Sequence, residues 1–145
     1  LPRDLGPMAN FAGMEQLDAF LAESHFLICM LPLTPDTQGI LNRERLSKLP
    51  KNAVVLNLAR GGHLVTDDLL ALMNEGHLLG AVLDVTEPEP LPQGHPLWSQ
   101  PNVILTPHES GVTTPATAAD QITENVRRVL AAEPVNNPVD PTRGY

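Results

Sequence analysis

The sequence predicts an α/β domain built on a parallel sheet, on three observations. Strand-like apolar runs alternate with helix-like stretches along most of the chain, the pattern of a parallel sheet with right-handed crossover helices. The run Val54-Val55-Leu56-Asn57-Leu58-Ala59 is β-rich and stops abruptly at Arg60-Gly61-Gly62. Such a run, bounded by glycine, reads as a strand buried on both faces. Two later strands end in the same manner, at Asp84 and at His108. Ligands of open α/β sheets bind beyond the carboxyl ends of the strands. Arg60, Asp84 and His108 are therefore expected at one sheet edge, where chemistry happens, and not in the core.

Each element follows from its local pattern. Residues 1–13 are rich in proline and glycine and read as loop. Residues 15–23 place Leu17, Phe20 and Leu21 at helical spacing. Residues 26–31 form a continuous apolar strand begun by His25 and stopped by Pro32. Thr34-Pro35-Asp36-Thr37 is a turn, and Asn42 caps a short helix that carries Leu46 and Leu49 and closes at Pro50. The strand at 53–58 follows. Thr66 caps the next helix, with Asp67 and Asp68 in the first turn where carboxylates suit the helix dipole. Its core face is Leu69, Leu72 and Met73, and Gly76 ends it. Residues 78–85 are a strand carrying Asp84. Residues 87–101 are irregular and proline-rich, anchored by Trp98. The strand at 103–105 leads to Thr106-Pro107-His108. Thr113 or Thr114 caps a final helix with Pro115 in first position and Ile122, Val126, Val129 and Leu130 on its apolar face.

Composition narrows the function. A chain of 145 residues is long enough for one domain with a real core. Aromatic residues make up only 3%, so Leu, Val and Ala carry the packing. The formal net charge of −8 argues against nonspecific nucleic-acid binding, which calls for a basic patch. Cys29 is the single cysteine and sits in an apolar run, so it reads as a buried core thiol. With no disulfide possible within the chain, a reducing, cytoplasmic compartment is expected. No signal peptide or membrane-length apolar run is present, so no membrane partner is expected. No His, Cys and Asp cluster has metal-ligand spacing, so no metal is expected. His63, His77 and His95 lack any context and read as surface residues. The chain starts at Leu1 without methionine, which reads as processing, truncation or an engineered start.

Four segments, in order, resemble the D-isomer-specific 2-hydroxyacid dehydrogenases. They are Leu31-Pro32-Leu33-Thr34-Pro35-Asp36-Thr37, Asn57-Leu58-Ala59-Arg60-Gly61, Leu83-Asp84-Val85 followed by Glu87-Pro88-Glu89-Pro90-Leu91, and Thr106-Pro107-His108. Phe11-Ala12-Gly13, Pro96-Leu97-Trp98 and Arg143-Gly144-Tyr145 narrow the resemblance to the family's glyoxylate/hydroxypyruvate reductases. The resemblance implies a Rossmann-like NAD(P)-binding domain and hydride transfer from NAD(P)H to a small 2-keto acid, with NADPH favoured. It places the catalytic arginine at Arg60, the catalytic glutamate at Glu89 and the catalytic histidine at His108. These types suit the reaction. A guanidinium fork matches a keto acid's carboxylate and carbonyl. A histidine supplies the proton that the growing alkoxide needs. A carboxylate holds the imidazole and favours its protonated form. Toward the cofactor, the resemblance implies that Leu31 and Pro32 line the adenosine and ribose side. Leu58 and Ala59 would run beneath the nicotinamide, Asp84 would accept from its carboxamide, and Ser110 and Gly111 would lie near it. Glu109-Ser110-Gly111 replaces the small apolar pair that relatives often have after the histidine. The resemblance also implies a homodimer.

The glycine-rich G-x-G-x-x-G turn of dinucleotide domains is absent. The chain thus reads as an incomplete Rossmann-like domain lacking its first two strands and that loop, and as a fragment of a longer dehydrogenase. Residues 1–112 are read as the later part of the cofactor domain. Residues 113–145 are read as a helix and tail that return to a substrate domain. In a 3-2-1-4-5-6 sheet the absent strands are expected to leave a gap between the Phe26 strand and the Ala53 strand. Unpaired buried edges there would require rearrangement or pairing with another copy. Such a fragment is expected to bind dinucleotide poorly and turn over little. Arg3 is read as a partner for the 2′-phosphate of NADP. The competing reading is a non-catalytic, corepressor-like binding module on the same fold.

Overall fold

The structure, a computed structural model, describes residues 9–140 and 142. Arg3 and the segment Arg143-Gly144-Tyr145 lie outside the described residues. A short 3-10 turn, Met14–Gln16, leads into helix α1, Leu17–Glu23, which buries Leu21. Strand β1 spans Phe26–Cys29. Helix α2, Arg43–Leu46, is capped as expected by Asn42, whose side chain accepts from the Arg45 amide at 3.2 Å. Strand β2 spans Ala53–Asn57, helix α3 Thr66–Asn74, strand β3 Leu78–Leu83 and strand β4 Val103–Leu105. Helix α4, Pro115–Leu130, closes the series with Pro115 in its first turn.

The four strands form one parallel sheet in the order β1-β2-β3-β4. Phe26 pairs with Val54 and Cys29 with Asn57, so β1 lies directly against β2. The expected gap between them does not exist. Consecutive strands joined by one crossover pair side by side, and these four follow one another in chain order across the sheet. The strand order had to be supplied by counting, and that count put a gap where β1 and β2 are direct neighbours. No interior edge needs closing by rearrangement or by another copy.

One sheet face is packed and the other is open. Leu27, Cys29, Val55, Asn57, Ala81 and Leu83 point into a core completed by Leu46 of α2 and Leu69, Leu72 and Met73 of α3. Burying each such leucine contributes about 1.5–3 kcal/mol. The opposite face is more open: Phe26 is 70% and Ile28 53% exposed on β1, and on β2, where burial on both faces is expected, Val54 and Leu56 are only half-buried. The thiol of Cys29 is buried as expected, and burial pushes its pKa up.

Several local expectations change. Val65 is the cap residue of α3, Thr66 is its first helical residue, and no side chain caps that end. The anchor of the proline-rich segment is Leu97, 2% exposed, and not Trp98, which is 60% exposed. Trp98 instead donates its indole N–H to the Pro92 carbonyl at 2.9 Å. His63 is fully buried, His77 is half-buried, and half-buried His95 caps the 3-10 turn Pro96–Trp98 by accepting from the Leu97 amide. Helix α4 buries none of its residues, and its apolar side, including Ile122 and Leu130, is exposed. Among the described residues, no helix is long and apolar enough to cross a membrane.

Candidate active site

Parallel register brings four strand ends to one edge. Cys29, Asn57, Leu83 and Leu105 are level across the sheet. The ladder runs one step further, with the amides of Leu58, Asp84 and Thr106 donating to the carbonyls of Cys29, Asn57 and Leu83. The loops that leave these strands carry nearly every candidate residue.

The exit from β2 is shaped by a buried asparagine and a glycine. The Asn57 side-chain amide donates to the Arg60 carbonyl at 2.9 Å, and its oxygen accepts from the Ala59 amide at 3.2 Å. This ties the turn on itself and leaves the Arg60 guanidinium exposed, donating to the Ala59 carbonyl at 2.7 Å. At Gly61 a Cβ would stand 2.0 Å from the Thr86 carbonyl oxygen. Only glycine allows that approach, which seats the arginine turn against the loop that leads to Glu89. Beside it lies a groove of about 630 Å³ between residues 30–33 and residues 58–60. Leu31, Pro32, Leu58 and Ala59 meet there with Arg60.

The exits from β3 and β4 are tied together by Asp84, which is 2% exposed. It accepts from the Thr106 hydroxyl, from the Glu109 amide at 2.9 Å and from the Ser110 amide at 2.8 Å. Burial pushes its carboxyl pKa up, but these bonds outweigh burial and hold it well below the usual carboxylate range. They also clasp both sides of His108, whose φ of 56° lies in the left-handed region. His108 Nδ1 meets Glu89 Oε1 at 2.7 Å, and Glu89 Oε2 accepts from the Thr86 amide at 3.3 Å. Both bonds lower the Glu89 pKa, the histidine contact most. The loop holding Glu89 has cis peptides at Glu87-Pro88 and Glu89-Pro90. A cavity of about 470 Å³ opens beside the pair, with Asp84 on its lining.

The structure therefore gathers Glu89, His108 and Asp84 around one cavity, and Arg60, Leu31, Pro32, Leu58 and Ala59 along the neighbouring groove. Ser110 contributes its backbone to the Asp84 clasp, while Gly111 borders open space. Sequence reasoning missed two neighbours of this edge. Trp98 lines the cavity, a place its Pro-Leu-Trp setting gave no means of reading. His63 lies fully buried against the arginine turn, its Nδ1 beside the Arg60 carbonyl. Among the described residues, no group of three His, Cys, Asp or Glu could hold a metal ion.

Comparison with known proteins identifies the family. Residues 6–110 match the family model described as D-isomer specific 2-hydroxyacid dehydrogenase, NAD binding domain. Glyoxylate/hydroxypyruvate reductase A of Escherichia fergusonii is 51% identical over 136 residues, covering 94% of this chain and 44% of that protein. A D-isomer specific 2-hydroxyacid dehydrogenase from Xanthobacter autotrophicus Py2, solved with NADPH and MES, superposes with a TM-score of 0.90 at 52% identity. It covers 93% of this chain and 44% of its own. An NADPH-dependent glyoxylate/hydroxypyruvate reductase from Sinorhizobium meliloti, solved with NADP and sulfate, gives 0.87 at 37% identity, over 92% of this chain and 44% of its own. The chain thus spans less than half the length of these relatives. On its family match and its parallel sheet, the chain belongs to the D-isomer specific 2-hydroxyacid dehydrogenases, through their NAD binding domain.

Proposed function

We propose that the chain supplies the reacting edge of an oxidoreductase that moves hydride from NAD(P)H to a small 2-keto acid of the glyoxylate/hydroxypyruvate class, giving the 2-hydroxy acid. The observation that carries this reading is the 2.7 Å pairing of His108 with Glu89 at the sheet edge that also presents Arg60.

The residues present fit a nicotinamide cofactor. The groove beside Arg60 is walled by Leu31, Pro32, Leu58 and Ala59, apolar surface suited to flat rings. When bound, the nicotinamide supplies the hydride. NADPH is the favoured form, because the relatives above were solved with NADPH or NADP. Asp84, expected to accept from the carboxamide, is buried with both carboxylate oxygens engaged by the 106–110 loop, so its part in this reading is to hold that loop.

The chain's own groups divide the remaining work. Arg60 pairs with the keto acid's carboxylate and carbonyl, each charge-assisted bond contributing about 1.5–3 kcal/mol. With Nδ1 donating to Glu89, the Nε2 face of His108 is the one left to substrate. From Nε2 a proton passes to the carbonyl oxygen as the carbon accepts hydride, and the ring is left neutral. Glu89 fixes the ring and stabilises the imidazolium before transfer. Residues 1–112 belong in this reading to the cofactor domain, and α4, with its exposed apolar side, to contacts with a substrate domain. The assembly is a cytoplasmic homodimer.

The test is reduction of glyoxylate and hydroxypyruvate by the full protein carrying these residues, followed through NADPH absorbance. His108→Asn should lower kcat by about 10²–10⁴-fold. Arg60→Ala should abolish turnover while NADPH binding is kept. Cofactor binding with no turnover of any 2-keto acid in the unmodified protein would instead fit a binding module.

A further inference from the structure

His63 is fully buried, yet its ring is polar at both ends. It belongs to the 3-10 turn Gly61–His63 that follows Arg60, so its own backbone is one with the 58–60 wall of the groove. Its Nδ1 stands 3.0 Å from the Arg60 carbonyl oxygen. Its Nε2 stands 3.2 Å from the carbonyl oxygen of Pro32, in the opposite wall and 31 residues away in sequence. The Arg60 carbonyl is already served by the Asn57 side chain at 2.9 Å and the His63 amide at 3.2 Å. The turn therefore holds its shape without the ring. The Pro32 contact is the one that only the ring provides. From the other side, the Pro32 carbonyl accepts from the Thr37 hydroxyl at 2.7 Å, which ties it to its own loop.

We propose that His63 is a positioning residue, a buried strut whose Nε2–H bond to the Pro32 carbonyl sets the separation of the two walls of the groove in which the nicotinamide cofactor lies. The inference rests on the functional reading above. A void or a slack contact at this place lets the 30–33 wall drift from the 58–60 wall, and a groove that must be reassembled on binding loses affinity. The reacting pair, His108 and Glu89, stands on other loops and is not reached by this bond. The loss accordingly falls on cofactor binding more than on the chemical step.

Two amide substitutions separate the ring's two ends. The amide of His63→Gln comes close to the place of Nε2 and can reach Pro32, whereas that of His63→Asn comes close to the place of Nδ1 and cannot. In the full protein carrying these residues, His63→Asn should raise the KM for NADPH about tenfold, the worth of one lost hydrogen bond, with kcat at saturating NADPH within about threefold of normal. His63→Gln should restore the KM to within about twofold. Equal KM values for the two variants, or a loss in kcat alone, would overturn the proposal. A second measurement needs no variant. Nitrogen-15 spectra of histidine-labelled protein read which ring nitrogen carries a proton, and His63 should be protonated at Nε2 with slow solvent exchange. A bare Nε2 would refute the strut even where the variants fail to fold. If the unmodified protein neither binds NADPH nor reduces a 2-keto acid, the functional reading fails, and the nitrogen spectrum still reports on the Pro32 bond.

Discussion

Asp84 shows how one side chain can organise a site from beneath. Its carboxylate is met by the Thr106 hydroxyl and by the amides of Glu109 and Ser110, which places His108 between its own anchors. In the folded protein this carboxyl is held below its ordinary value near 3.8, and on unfolding it returns there. A depressed carboxylate contributes stability that is fully present above its unfolded pKa, about 4, and is lost as pH falls through the folded value. Asp84→Asn replaces one acceptor by a donor that faces backbone N–H groups. The variant's melting temperature should therefore lie furthest below that of the unmodified protein at neutral pH. The difference should narrow below about pH 4. Parallel curves in a melting series across that range would contradict the assignment. Asp84, His108 and Arg60 were legible because each ends an apolar run, where the change of character is abrupt. His63 was not, because a single polar residue between glycine and leucine carries no sign of whether its partners are water or the carbonyls of its own turn and of a distant loop.

At the scale of elements, sequence patterns located each α-helix and strand among the described residues but not their ends, and not the 3-10 turns. Strand β1 stops at Cys29, although Met30 and Leu31 continue its apolar run, because these two residues turn outward onto the exposed rim of the groove. Strand β3 stops at Leu83, where the Asp84 side chain takes over the loop. The proline-rich segment 87–101 shows the limit of reading residue size as burial. Trp98 is the larger apolar surface, but its neighbour Leu97 enters the core cluster. Leu97→Ala should cost about 2–5 kcal/mol of stability, the range for a buried leucine that leaves a cavity. Trp98→Ala should cost about 1 kcal/mol or less, the worth of its one bond to the Pro92 carbonyl. Denaturant midpoints of the two variants give the comparison, and a larger loss at Trp98 would reverse the assignment.

For the whole molecule, the sequence yielded the parallel α/β class and the common edge, both carried by alternation. The strand order needed a count from strands that the chain does not show, and the misplaced gap followed from that. The continuous sheet leaves a row of Ile28, Leu56, Val82 and Ile104, one residue from each strand, on the face that carries no helix layer among the described residues. Ile28 is 53% and Ile104 58% exposed. Parallel sheets are ordinarily covered on both faces, and contiguous apolar surface of this kind binds apolar dyes. The chain should therefore enhance the fluorescence of anilinonaphthalene sulfonate. Ile28→Thr with Ile104→Thr should weaken that response while keeping strand propensity. An unchanged dye signal in the double variant would place the apolar surface elsewhere.

The parallel register has one more consequence, for handling the molecule. All of the candidate chemistry leaves the carboxyl edge, so the opposite edge is free for attachment. Exposed Lys51 precedes β2 there, separated from Arg60 by the length of a five-residue strand, roughly 17 Å at 3.3 Å per residue. Cys29 is shielded, with a thiol pushed away from its reactive thiolate form. A Lys51→Cys variant therefore offers one selective grip, and a surface or fluorophore tethered through it leaves the working rim pointing outward.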